Sequence, residues 1–398
     1  MKVGILTFHW VFNYGANLQT LSSVGYFRKI GYEPIVLNWI PEDLEGYYLR
    51  TTSKEQVEMF RSFQNDFMPL SKLCRNSRDI AQVIKEEHID FVFIGADTVF
   101  KLRQPVFSIR RLKWVKPNSE CRFPNPYWGE FLNYGVNVPV LGFSIASNDS
   151  SAAEFKKETP EIYRYLQRFS FLTVRDIPTQ EMVKTFSDGE IVPEITPDPV
   201  FNFNNNIDVS PIEAKVKTEF NLPDSYYLVC EAEPFNKRIS SWVESLAAII
   251  AKDGSALIEL PRQTGKQGFN ITQMSKRSLN PLEWYVVIKN ARGYVGGLMH
   301  PLICCIHNKV PFFSLDYYGI RKNRFSISYQ SSKVFQLLSE CNLLRYYYSF
   351  HSKEQIPTPN DVYKELNGYD MDTLNDAAKI RQDKFISSMR AALNSIGV

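Results

Sequence analysis

Long apolar runs are missing from this 398-residue sequence: none approaches the eighteen or so continuous apolar residues that a membrane-spanning helix needs. The apolar opening VGIL stops at Thr7 and His9, too soon for the core of a signal peptide, so no export is expected. Paired cysteines are missing too. Cys74, Cys121, Cys230, Cys304, Cys305 and Cys341 show no C-x-x-C spacing, which in a chain of this size reads as reduced, mostly buried thiols and a cytoplasmic location rather than a disulfide framework or a zinc site. There is no H-x-x-H pair and no carboxylate cluster with ligand spacing, so no metal is expected. Neither G-x-G-x-x-G nor G-x-x-x-x-G-K-[ST] occurs, which leaves dinucleotide and P-loop nucleotide binding unsupported. Charge of either sign is not in excess: 46 Lys plus Arg stand against 43 Asp plus Glu, a net +3, so no nucleic-acid partner is expected and any anion site must be local.

What is present is an ordinary globular composition, 44% hydrophobic and 22% charged, in a chain long enough for two cores. Lys2 to Thr7 reads as a strand, Ala16 to Ile30 as a helix with Leu18, Leu21, Tyr26 and Ile30 near helical spacing, and Glu33 to Trp39 as a second strand. That βαβ opening predicts a parallel sheet. The rhythm continues with a helix at Asp79 to Glu87 and strands at Phe91 to Ile94, Val140 to Ser144 and Phe171 to Val174. Lys101 to Asn137 interrupts it with a basic, aromatic stretch (Arg103, Arg110, Arg111, Lys113, Trp114, Tyr127, Trp128), which reads as an insertion beside the active site. The Asn-rich string Asn202 to Ser210 reads as a linker. A second set follows: strands at Tyr226 to Cys230, Ala256 to Leu260, Gly293 to Val295 and Pro311 to Leu315, with helices at Ile239 to Ala251 and Leu302 to Ile306. The expected division is 1–205 for an N-terminal Rossmann-like domain, 206–370 for a C-terminal one, and 371–398 for a closing helix whose apolar positions keep helical spacing.

In open parallel sheets, ligands bind beyond the carboxyl ends of the strands, so the residues after each strand are the candidates. Asn13, Tyr14, Gly15 and Asn17 follow the first strand, Gly95 and Asp97 the third, Ser144 the fourth, and Arg175 the fifth; Asp198 comes later in the same half. Gly15 at a helix start could expose N–H groups to a phosphate or carboxylate, or simply let the chain turn. Arg175 could clamp an anion or form a structural ion pair with a neighbour. Asp97 could act as a base, bind a hydroxyl, or cap a helix. In GYVGGLMHPLICCIHNKVPFF, His300 lies between a strand and a helix, where an imidazole can donate to an oxyanion or exchange a proton; a core histidine is the alternative. His307 reads as a solvated helix end and His9 as a cleft or strand-end residue, with His88 and His351 on the surface.

These islands, in this order, resemble the polysaccharide pyruvyl transferase family. VGILTFHWVFNYGANLQTLSSVGYFRKIGYEPIVLNW is similar to its opening strand, N-x-G-A loop, helix and second strand. DFVFIGADTVF resembles its strand ending in Gly-Ser-Asp, with Ala96 in place of serine. SFLTVRD, ITPDPVF, GGLMHPLICCIHNKVPFFSLDY and SSKVFQLLSECNLL resemble its later segments. The resemblance implies an α/β fold of two Rossmann-like domains facing across a cleft, similar to the glycosyltransferase-B fold. It also implies phosphoenolpyruvate as donor substrate without a cofactor, and a hexose of a surface or capsular polysaccharide, lipid-linked forms included, as acceptor. Membrane contact would be peripheral, at the inner face. His300, Asp97 and Arg175 would be catalytic. Asn13, Tyr14, Gly15, Asn17, Gly95, Ser144, Arg321, Lys322, Arg324 and Lys333 would bind substrate. One departure stands out: family members often have an arginine two residues before the histidine, and here that position is Leu298. Donor binding would then fall to Arg175, to a basic residue of the insertion, or to Arg321, Lys322 and Arg324. A nucleotide-sugar glycosyltransferase or a non-catalytic glycan-binding protein of a polysaccharide locus are the alternatives.

Overall fold

The computed structural model describes residues 1–108, 110, 112–230, 233–262, 268–274, 278–323 and 326–398, with the side chains of 47, 48, 233–238, 320–323 and 326 outside the description. The strands in the first half are β1 (Lys2–Leu6), β2 (Glu33–Val36), β3 (Phe91–Asp97), the hairpin pair β4 (Val106–Ser108) and β5 (Lys113–Val115), then β6 (Val140–Ile145), β7 (Phe171–Val174) and β8 (Glu194–Ile195). Apart from the hairpin they form one sheet, in the order β2-β1-β3-β6-β7-β8, and every pair is parallel. The second half adds β9 (Tyr226–Cys230), β10 (Ala256–Glu259), β11 (Gly293–Gly296), β12 (Phe312–Asp316), a small hairpin of β13 (Ile320–Asn323) and β14 (Ser326–Ser328), and β15 (Tyr347–Ser349). The sheet is β10-β9-β11-β12-β15, again parallel.

Two Rossmann-like sheets are therefore present, and their central strands are apolar runs buried on both faces, as parallel strands covered by helices must be. The first helix, Tyr14–Lys29, departs from the amphipathic pattern read in the sequence. It is buried from Tyr14 through Phe27, polar residues included, while Ile30 just beyond it is exposed. The second half of the chain covers the face that would otherwise meet water. Three of its buried polar side chains find partners: Thr20 donates to the Ala16 carbonyl within the helix, while Ser22 donates to the Pro199 carbonyl and Gln19 to Asp198, far along the chain.

The Asn202 to Ser210 string is not a loose linker. It forms a 3-10 turn (Pro199–Asn202) and a short helix (Phe203–Asn206), tied to the first helix by Asn206 donating to Ser22. Its Asn204 backbone N–H donates to His307 Nε2 at 3.2 Å, so His307 is a buried inter-element acceptor and not a solvated helix end. The final helix, Met371–Asn394, returns to the first half, where Phe385 packs edge-on against Tyr26 and Phe143. Among the described residues no helix is long and apolar enough to cross a membrane.

Candidate active site

Each sheet reverses its winding direction once, between β1 and β3 in the first and between β9 and β11 in the second. Such switch points leave a crevice at the carboxyl ends of the strands. Here both crevices open onto one cleft of about 530 Å³. Asn13, Tyr14 and Gly15 reach it from beyond β1 and Asp97 from the end of β3, while Cys230 comes from the end of β9 and Leu298, Met299 and His300 from beyond β11.

His300 is the second residue of the helix Met299–Asn308. Its ring lies over Gly15 so closely that a Cβ there would sit 2.0–2.3 Å from three ring atoms. Neither reading of Gly15 from the sequence captures this: the glycine is required by the approach of a histidine from the other half. The start of the first helix is otherwise capped by Asn13, whose side chain accepts from the Ala16 N–H. Among the described residues His300 Nε2 has no hydrogen-bond partner, and the Asp198 carboxylate stands 3.9 Å from it. Burial pushes the His300 pKa below the usual imidazole value, ahead of the upward pull of Asp198 and Asp97 and the downward push of Arg175 and Lys333. The ring is neutral near pH 7, with an unpartnered nitrogen.

Arg175, nearly buried, lies between two carboxylates: Nη1 is 3.4 Å from Asp198 Oδ2 and Nη2 is 3.9 Å from Asp97 Oδ1. Asp198 also accepts from Gln19 and from the Val200 N–H, so it is held from three sides. Asp97 has φ +89° and accepts from the Thr98 N–H at 2.7 Å; a left-handed backbone at a non-glycine residue is uncommon outside sites that need it. Lys333 opens the helix Lys333–Glu340. Solvent reaches its side chain through the cleft mouth, yet the walls surround it closely enough that desolvation, ahead of repulsion from Arg175, lowers its pKa. Asp316, at the end of β12, positions that helix by accepting from its N-cap Ser332 at 2.5 Å. Three cations (Arg175, Arg262 and Lys333), a neutral imidazole and the carboxylates of Asp97, Asp149 and Asp176 thus line one open space that could take an anionic donor and a hydroxylic acceptor.

Of the residues singled out in the sequence, Asn13, Tyr14, Gly15, Asp97, Arg175, His300 and Lys333 line this one cleft. Asn17, Gly95 and Ser144 lie behind it. Asn17 donates to the Val11 and Asn13 carbonyls and shapes the loop; Gly95 has φ +117° and a Cβ there would meet the Phe143 carbonyl; Ser144 is buried and donates to the Thr196 carbonyl. These three build the wall and do not face the space. Arg324 lies outside the described residues, and Arg321 and Lys322 are placed only as backbone of β13. Among the described residues the insertion contributes no lining side chain. Its Tyr127 and Trp128 are fully buried, Trp128 stacked on Phe100, so its aromatics partly serve the first core; it touches the cleft margin through Arg103, which pairs with the lining residue Asp149. His9 is buried between the Thr7 carbonyl and Asn38, away from the cleft.

Sequence reasoning passed over Arg262, Trp284 and the role of Asp198. Arg262 lines the cleft just beyond β10, and the strand-end rule that picked out Arg175 would have found it. Trp284 stacks on Tyr14 across the two halves, with centroids 4.9 Å apart, a pairing that no local pattern signals. Among the described residues no group of three or more His, Cys, Asp or Glu side chains is placed to hold a metal ion.

The sequence matches the family described as polysaccharide pyruvyl transferase over residues 13–318. No curated protein matches it by sequence. Among solved structures, ADP-heptose LPS heptosyltransferase II of E. coli shares 12% identity at a TM-score of 0.48, covering 94% of this chain and 98% of its own. The UDP-GlcNAc 2-epimerase of Methanocaldococcus jannaschii, in complex with UDP-GlcNAc and UDP, shares 14% at 0.44, covering 96% and 93%. The glycosyltransferase VinC, in complex with dTDP, shares 10% at 0.45, covering 99% of both chains. At these scores the three likenesses say nothing about what this chain acts on.

Proposed function

The chain belongs to the polysaccharide pyruvyl transferase family, and on that premise we propose that it moves the enolpyruvyl unit of phosphoenolpyruvate onto a hexose of a surface or capsular polysaccharide precursor, closing a pyruvate ketal. The observation that carries this reading is the neutral, unpartnered His300 facing Arg175, Asp97 and Lys333 in one cleft. Phosphoenolpyruvate needs a clamp for its phosphate and carboxylate, and Arg175 with Lys333 supplies positive charge for both. Arg262, from the opposite wall, stands in for the arginine that Leu298 replaces.

The reaction needs a proton on the donor methylene while one sugar hydroxyl adds to C2. The C2–O bond to phosphate then breaks, its electron pair leaving with the phosphate, and the second hydroxyl closes the ketal. Of the two hydroxyl protons, one makes good the proton given to C3 and the other departs with phosphate. His300 delivers the C3 proton or contacts the phosphate. The donor's negative charge raises its pKa from the low value of the empty site and so loads it with a proton at the moment of use. Asp97 orients the acceptor hydroxyl and takes its proton, and Arg175 holds the anion whose charge grows as phosphate leaves. Phosphoenolpyruvate serves as a substrate carrying its own leaving group, so the residues act without a resident cofactor in this account. A cytoplasmic setting fits the six free, buried thiols. The test is product analysis by mass spectrometry after incubation with phosphoenolpyruvate and a hexose acceptor. A carboxyethylidene ketal supports the proposal; sugar transfer from a nucleotide sugar with no ketal overturns it.

A further inference from the structure

The β4–β5 hairpin belongs to neither core. It forms a separate two-stranded sheet, with Val106 opposite Val115, Phe107 opposite Trp114 and Ser108 opposite Lys113. Its apolar side chains face outward: Leu112 is 78% exposed, Val106 and Trp114 67% each, and Phe107 46%. Phe107 and Trp114 form an edge-to-face pair on one side, with centroids 5.7 Å apart. An exposed indole, phenyl and isobutyl group within one short hairpin are costly in water unless something covers them.

The charge around them says what that cover is. Residues 101–118 include Lys101, Arg103, Arg110, Arg111, Lys113 and Lys116 and neither Asp nor Glu, although the whole chain is nearly balanced. Arg110, Lys113 and Lys116 are exposed alongside the aromatics. Apolar side chains with Trp, flanked by cations, suit the boundary of an anionic bilayer: the rings enter the headgroup layer and the cations meet the lipid charge. A nucleic acid would use the cations but has no place for Leu112 and Val106. The hairpin is also placed for the reaction. At its root Arg103 pairs with Asp149, which lines the cleft, and the Leu102 N–H donates to Ser150.

We propose that the β4–β5 hairpin docks the protein onto an anionic lipid surface, with Trp114, Phe107 and Leu112 inserted and Arg110, Lys113 and Lys116 at the headgroups, so that the cleft receives a lipid-linked acceptor. The acceptor clause rests on the transferase reading; the docking itself does not. The test is co-sedimentation of the full chain with vesicles of phosphatidylglycerol and phosphatidylcholine, and with phosphatidylcholine alone, in the absence of donor or acceptor. The wild type binds the anionic vesicles, and binding weakens as salt rises. Trp114→Ala with Phe107→Ala lowers the partition coefficient by roughly tenfold or more. Lys113→Glu with Lys116→Glu abolishes binding, with melting temperatures unchanged because all four side chains lie outside the cores. Equal binding to neutral vesicles, no binding to either, or association with an oligonucleotide or a second copy in place of vesicles overturns the docking. Vesicle binding without any ketal product leaves it standing and removes only the acceptor clause.

Discussion

Gly15 and His300, from opposite halves of the chain, meet so closely that a single added carbon on the glycine would overlap the imidazole. This contact links the start of the first helix to the start of the helix Met299–Asn308 and sets where the ring's free nitrogen can reach. Gly15→Ala therefore forces the ring or a helix to shift, at a cost of about 1–3 kcal/mol, although alanine is the better helix former. The destabilisation is expected to disappear when Gly15→Ala is made in a His300→Ala background, and thermal or denaturant melts of the four proteins measure that coupling. Equal destabilisation in both backgrounds would show that the contact is not what the glycine serves.

His300 should titrate below the free-imidazole value in the empty protein, since burial is the leading influence on it. Binding of phosphoenolpyruvate places negative charge beside it and moves the pKa up. With only five histidines in the chain, the imidazole resonances can be followed by NMR, His300 being assigned by its loss in His300→Gln. A downward or absent shift on donor binding would remove the proton-delivery role.

Arg175→Lys keeps the charge but loses the planar fork that spans Asp97 and Asp198 and would grip an anion at two points. Steady-state kinetics should show a rise in the KM for phosphoenolpyruvate with a fall in kcat/KM of roughly tenfold to a hundredfold. Arg175→Ala goes further, because it also leaves Asp97 and Asp198 without their shared cation. Unchanged kinetics in Arg175→Lys would take the two-point grip out of the account.

His307 is buried as a neutral acceptor from the Asn204 N–H, and its pKa is lowered to about 4 by burial first, then by Lys289 and Lys309. Its unfolded value is about 6.5, so between those values the unfolded chain binds the proton and the folded chain does not. The stability it allows is full above about pH 6.5 and falls as pH drops toward about 4, by roughly 3 kcal/mol in all. Melting temperature measured across that window should fall with acid, and less steeply in His307→Gln. An equal slope in the variant would assign the acid sensitivity elsewhere.

The strands were the most legible part of this fold. Tyr226–Cys230 ends where its apolar run ends, because a strand buried on both faces admits few polar residues, and Phe171–Val174, half-buried at its start, keeps the bounds its residues suggest. The helix Lys54–Phe67 carries its own local signals: Ser53 caps it, and Val57, Phe60 and Phe63 lie on its buried side. The first helix could not be read correctly from its own periodicity, since the cover over Ser22 comes from residues about 180 positions away, Pro199 and Asn206. The same holds for the site. Strand ends pointed to Asp97, Arg175 and His300, but which glycine touches which histidine, and that Asn17, Gly95 and Ser144 support the wall behind, depends on how the two halves meet.

The most direct measurement is phosphate release from phosphoenolpyruvate with galactose, mannose and N-acetylhexosamine acceptors, for the wild type and His300→Ala. The account predicts release that requires an acceptor and falls by roughly a hundredfold or more without the imidazole. Release that ignores the acceptor, or that is undiminished in His300→Ala, would contradict it.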